Sequence, residues 1–194
     1  MIAAVRGDAD ALERLQEVVV LHREVDAVQD LLLARANLAG AVPAHPDDRE
    51  EAVAALEAVA AEALAEQLPQ LAALAWLYAA RQLAPDDPAA RSAADRAVAH
   101  GVGTVQIEAL LTRGWLVAAT DPARAADDLR AAEQLDDEGQ PGLIRAALLL
   151  GQAELAHALG RDDAPARREA AAAAVGALGL GPRAPFVQRL AALR

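Results

Sequence analysis

Apolar residues recur along this chain at the three- and four-residue spacing of one helical face, almost from end to end. Short breaks interrupt the series at Ala39-Gly40 to His45, Ala84-Pro85, Ala119-Thr120 and Gly160. The spacing predicts an opening helix over about 8–22 that can run on into the next. Pairs follow over 23–38 with 47–67, 70–83 with 88–100, 104–119 with 122–135, and 142–159 with 164–178. A last helix over about 184–194 closes the series. Strand signals, β-branched clusters bounded by turn residues, are nearly absent, and Val18-Val19-Val20 lies inside a helical window. The predicted class is all-α, with about nine to ten helices in one domain over 1–194.

The second helix of each pair opens on a repeated motif. Asp86-Asp87-Pro88-Ala89-Ala90-Arg91, Thr120-Asp121-Pro122-Ala123-Arg124-Ala125 and Asp162-Asp163-Ala164-Pro165-Ala166-Arg167 share it, and Pro46-Asp47-Asp48-Arg49-Glu50-Glu51 is a looser version. Aspartate caps the free N–H groups of a helix start, and proline fits the first turn because its missing donor is not needed there. The prolines at 88 and 122 are 34 residues apart, and those at 122 and 165 are 43 apart. Gly101, Gly103, Gly139 and Gly179 sit just past predicted helix ends, where a left-handed residue is wanted.

Composition narrows the chemistry. The chain has 194 residues, no cysteine and no lysine, and every basic residue is arginine. Disulfides, thiol nucleophiles, Cys-based zinc sites, Schiff-base lysines and a phosphate-loop lysine are thereby excluded. High Ala and Arg without Lys points to a bacterial coding sequence rich in GC. A formal net charge of −11 disfavours broad nucleic-acid binding. Charge is uneven: residues 161–194 carry six arginines against three acids. That basic end is either an ordinary solvated face or a contact surface. No apolar run reaches the roughly 18 residues of a membrane span, and the first residues lack a signal peptide's pattern, so a cytoplasmic location is expected. The start at Met1 directly into repeat-like sequence also fits a segment of a longer chain.

Helix pairs recurring at 34 to 43 residues resemble tetratricopeptide repeats. The best match is Gly151-Gln152-Ala153-Glu154-Leu155-Ala156-His157-Ala158-Leu159-Gly160-Arg161-Asp162, similar to the family's first helix and turn. Ala166, Ala170 and Ala173 then fall near its small-residue positions, as do Ala125, Leu129 and Ala132 in the preceding pair. The resemblance covers 70–180, with 1–69 as degenerate N-terminal helices and 181–194 as a C-terminal capping helix. Family aromatic positions are mostly Leu or Ala here. The style also resembles repeat regions of large actinobacterial signalling regulators.

The resemblance implies a right-handed α-solenoid of antiparallel helix pairs whose first helices line a concave face. It further implies a scaffold that holds a protein or peptide partner there. The expected partner-binding residues are Arg23, Gln29, Tyr78, Arg81, Gln106, Thr112, Arg145, Gln152 and His157. Tyr78 and Arg81 share a helix face at three-residue spacing, with Trp76 two residues away and turned toward the core. Trp76 and Trp115 either fill gaps between helices or serve as binding anchors. A broad apolar series from Leu12 to Leu32 on the first helices could join two copies.

Enzymatic readings find no constellation. Adjacent acids such as Asp127-Asp128 or Asp162-Asp163 do not face one another on a helix, and capping accounts for most of them. His22, His45, His100 and His157 are isolated, so no metal ligand set is expected. Ser92, the single serine, lacks a nucleophile-elbow frame. Neither an enzyme nor a cofactor is expected. Two alternatives stand beside the scaffold: a ligand- or peptide-sensing segment of a larger bacterial regulator, and a helical-bundle enzyme using buried carboxylates.

Overall fold

A computed structural model describes residues 11–24, 27–41, 46–136, 142–182 and 184–193. Among them are ten helices and no strand. They are α1 (Ala11–Glu24), α2 (Val28–Gly40), α3 (Pro46–Ala65), α4 (Pro69–Gln82) and α5 (Pro88–His100), then α6 (Gly103–Val117), α7 (Pro122–Leu135), α8 (Gly142–Ala158), α9 (Ala164–Ala177) and α10 (Pro185–Ala192). The described residues are therefore all-α in class, as the periodicity predicts. α1 and α2 are separate elements, the first ending at Glu24 and the second beginning at Val28.

Local signals place the ends. Asp87 caps α5 by accepting from the Ala89 amide at 2.8 Å, and Asp121 caps α7 by accepting from the Arg124 amide at 3.0 Å. Both helices then begin on proline, and both span the residues their caps predict. The third motif behaves differently. Asp163 makes no capping bond; its carboxylate is held by Arg161 and Arg167. Two guanidinium groups compete successfully with a backbone amide and keep this carboxyl well below the ordinary aspartate range. Asp47 and Asp48 have side chains outside the described residues, as is Gly139 altogether.

The left-handed turns are also redistributed. Gly179 has φ of 63° past α9 as expected, but Gly101 is extended with φ of −75°. Gly103 is left-handed at φ of 55°, where it opens α6 rather than closing α5. Gly160 takes φ of 61° after α8, with the Arg161 amide donating back to Ala156. Gln67 does the same between α3 and α4 at φ of 59°, and the Leu68 amide reaches Ala63 at 2.7 Å. This is a glycine-type helix stop occupied by a residue with a Cβ. Replacing Gln67 with glycine should therefore stabilise the protein by about 1 kcal/mol, through relief of the left-handed penalty. A thermal melt checks this, with the midpoint rising.

Packing follows one rule along the chain. Each helix lies against its sequence neighbours, and the even-numbered helices α2, α4, α6, α8 and α10 also touch one another in order. The odd-numbered helices make no such approach among the described residues. The even helices thus form an inner row and the odd ones an outer row. Alanine makes this possible: Ala36, Ala72, Ala75, Ala79 and Ala109 are fully buried on the inner row. A side chain this small lets backbones close to the short end of the usual 8–10 Å interaxial range. Larger residues fill the space between rows, including Leu32, Leu56, Leu77, Ile107, Leu129, Leu148 and Leu155. The core is correspondingly elongated, running from a cluster over α2–α6 to a second over α6–α8 and a third around α8–α10.

Long side chains span the gaps that the outer row leaves open. Arg96 of α5 reaches Glu57 of α3 at 2.7 Å, Arg124 of α7 reaches Asp95 of α5 at 2.6 Å, and Arg167 of α9 reaches Glu133 of α7 at 2.6 Å. Each links one outer helix to the next. Exposed pairs of this kind contribute only about 0–1 kcal/mol each, so they define spacing more than they stabilise. Trp76 is only 4% exposed and fills the space beneath the first of these bridges. Its indole N–H donates to Glu57, and the Arg96 guanidinium lies 4.9 Å from its ring centroid.

Candidate interaction surface

The inner-row helices α4, α6 and α8 each carry a stripe of incompletely buried positions along one arc. At about 100° per residue, Gln70, Leu74, Tyr78 and Arg81 of α4 fall within one arc. Glu108, Thr112 and Trp115 of α6 do likewise, as do Ala147, Gly151 and Glu154 of α8. Polar side chains tie these stripes together across the row. The Tyr78 hydroxyl donates to Asn37 Oδ1 of α2 at 3.2 Å. Arg81 donates through Nε to the Thr112 hydroxyl at 3.2 Å and pairs through Nη2 with Glu108 at 2.8 Å. Arg189 of α10 grips both carboxylate oxygens of Glu154, at 2.8 and 2.5 Å. These contacts lace α2 to α4 and α4 to α6 at one end of the row, and α8 to α10 at the other.

Close approach governs its geometry. A Cβ on Gly40 would lie 2.6 Å from the Tyr78 ring, so glycine there lets the aromatic ring settle against α2. Gln82 extends the same contact by donating to the Gly40 carbonyl at 3.3 Å. Burial pushes the Tyr78 phenol up to about 12, with Glu108 raising it further and Arg81 lowering it. Tyr78 is the single tyrosine in the chain, so ultraviolet titration reads it alone. The expected midpoint in the folded protein is about 12 against an ordinary 10.0. A raised folded value means the neutral phenol contributes stability below the unfolded value. That contribution is lost as pH rises through the folded one. A midpoint at the ordinary value would show the phenol to be solvated rather than buried.

Trp115 stands out on this face. It is 47% exposed, three residues beyond Thr112 and seven beyond Glu108, and belongs to none of the buried clusters. Of the two tryptophans, Trp76 fills a gap and Trp115 does not. Part of the signal was present in the sequence, since the Glu108, Thr112, Trp115 spacing puts one aromatic on a polar stripe of α6.

The expected partner-binding residues separate into groups. Tyr78, Arg81 and Thr112 come together across α4 and α6 as described. Gln29 is exposed in the first turn of α2, and His157 is exposed in the last turn of α8, flanking the stripe of Glu154. Gln106 lies roughly 160° round α6 from Glu108, beside Gly101 in the turn after α5. Arg145 and Gln152 lie on the side of α8 opposite Glu154. There Arg145 pairs with Asp136, and the buried Gln152 amide donates to the same carboxylate at 3.2 Å. Both hold the end of α7 against α8. The side chain of Arg23 lies outside the described residues.

Among the described residues no group of three His, Asp or Glu is placed to hold a metal ion. No helix among them is long and apolar enough to cross a membrane. The adjacent acids Asp127 and Asp128, in the middle of α7, are each paired with arginine. Asp128 is 3% exposed and receives Nε and Nη2 of Arg113 at 2.9 and 2.6 Å. Asp127 pairs with Arg130 at 2.7 Å. In comparisons with known proteins, no family model, curated protein or solved structure matches the chain.

Proposed function

We propose that this chain is a tetratricopeptide-like, right-handed stack of helix pairs that binds an extended peptide or a helix of a protein partner along its inner row. The observation that carries this reading is Trp115, a half-exposed aromatic on the stripe that Arg81, Glu108 and Thr112 occupy. A packed monomer gains nothing by leaving so large an apolar ring in water. Tryptophan is also the residue type most enriched where binding energy concentrates. Close packing of the even helices with separation of the odd ones favours a face that curves inward along the even row, as a superhelix of helix pairs requires.

The charges around Trp115 support a polar but neutral groove. Arg81 is matched by Glu108, and Arg189 by Glu154. A ligand there competes with internal pairs for the same donors and acceptors, which suits the backbone amides of an extended segment. An apolar side chain of the partner would rest on the indole.

Selection from a random-peptide display library against the full chain tests this. Peptides should be enriched, and Trp115→Ala should weaken their binding about tenfold or more, the effect of losing an anchor of this kind. Gln106→Ala, on the opposite side of α6, should leave affinity unchanged. Enriched peptides indifferent to Trp115→Ala, or no enrichment at all, would overturn the proposal.

A further inference from the structure

The two ends of the stack differ in row, in charge and in what they expose. The first described helix, α1, belongs to the outer row, and the last, α10, to the inner row. Interior outer helices pack on the inner helix before them and the one after: α3 on α2 and α4, α5 on α4 and α6. The α1 helix packs on α2 alone among the described residues. Leu15 and Val19 are buried, whereas Val18, Val20 and Leu21, with Val28 at the start of α2, are 37% to 59% exposed. On α1, Val18 and Leu21 lie about 60° apart and share one side of the helix, whereas Val20 projects roughly 160° from Val18.

At the other end α10 lies beside α8 and α9. Phe186 is buried, and Val187, Leu190 and Leu193 are partly buried against the last cluster. Gln188, Ala191 and Ala192 face solvent. Residues 1–68 contain fourteen acids and five arginines, a net of −9. Residues 161–194 contain six arginines and three acids, a net of +3. Bringing two N-terminal ends together would set −9 against −9, whereas opposite ends attract.

We propose that a second copy of this chain docks head to tail, with its α1 against α10 of the first. An outer helix then follows an inner one, so the alternation of rows continues across the junction. The contact is heterologous: it joins two different surfaces and leaves a free end on each side, so assembly does not stop at two.

Sedimentation velocity of the full chain over a concentration series tests this. Mean mass should climb past that of a dimer as concentration rises, and added salt should reduce it. The variant Val18→Arg/Leu21→Arg loses the head, and Gln188→Glu/Ala192→Glu loses the tail. All four positions are exposed, so both variants should keep the parent's helical circular dichroism and melting midpoint. Should either melt early, Leu21→Arg and Ala192→Glu singly take its place. Each variant alone should be monomeric. Mixed in equal amounts, they should form dimers and nothing larger, because one intact head and one intact tail remain. Trp115→Ala should assemble like the parent, which separates this result from partner binding on the inner row. A parent that stays monomeric, a tail variant that still dimerises, or a mixture that restores no dimer would overturn the proposal.

Discussion

Arg113→Ala is expected to destabilise the protein by about 3–5 kcal/mol, the usual consequence of stranding a buried charge. Asp128 lies on α7 with its side chain 5% exposed, and Arg113 of α6 supplies both of its short contacts. The guanidinium also touches Asp95 of α5, so one side chain joins three consecutive helices. Its own proton is held more tightly than usual, chiefly by the bond to Asp128. Truncation leaves the carboxylate in a site that water reaches poorly. The double variant Arg113→Leu/Asp128→Leu removes both charges and should recover most of the loss, because apolar replacements of a buried pair are often neutral. Urea denaturation of the three proteins gives the comparison. A single variant as stable as the parent would show that Asp128 is solvated.

The second large effect concerns Leu155, which is fully buried between α8 and its neighbours. Leu155→Ala should cost about 2–5 kcal/mol through lost burial and the cavity left behind. Gly114 of α6 lies directly opposite, and a Cβ there would sit 2.7 Å from Leu155 Cδ2. Gly114→Ala in the parent should therefore destabilise by overpacking, about 1–3 kcal/mol, less the roughly 1 kcal/mol gained from helix propensity. In the Leu155→Ala background the same methyl enters vacated space. Its nearest remaining neighbours, Asp128 Cβ at 3.3 Å and the Ala125 carbonyl at 3.4 Å, require only a small shift. The two substitutions should thus be coupled, with the double variant more stable than Leu155→Ala alone. Simple additivity in a denaturation cycle would show that α6 and α8 do not meet at this point.

These two cases show where the sequence was informative. Helix ends were legible because they depend on neighbours in sequence: Asp87-Pro88 and Asp121-Pro122 set α5 and α7 to the residue. Asp163 broke the pattern because Arg161 and Arg167, also local, offered its carboxylate better partners. Gln67 hid a left-handed turn because the usual glycine was missing. Pairings between helices were not legible. Arg113 and Asp128 are fifteen residues apart, and neither periodicity nor capping connects them. Helices α6 and α8 are apolar over much of their circumference, so a polar residue on them can face any neighbour. Arg145 and Gln152 therefore shared a predicted surface with Tyr78 and Arg81, although the fold turns them toward Asp136. Trp115 was visible as an aromatic at the spacing of Glu108 and Thr112, but the extent of its exposure is set by the tertiary fold.

One distance bears most directly on the claim that the helices form two rows, with the outer helices successively displaced. The chain has no cysteine, so Ala61→Cys on α3 and Ala172→Cys on α9, both exposed, can be spin-labelled without background. Three steps along the outer row separate them, each at least the roughly 10 Å of packed helices. Double electron–electron resonance should give one distribution centred at roughly 30 Å or more, from three such interaxial steps. A distribution centred below about 20 Å, two such steps or fewer, would mean the helices close into a bundle and would contradict the account.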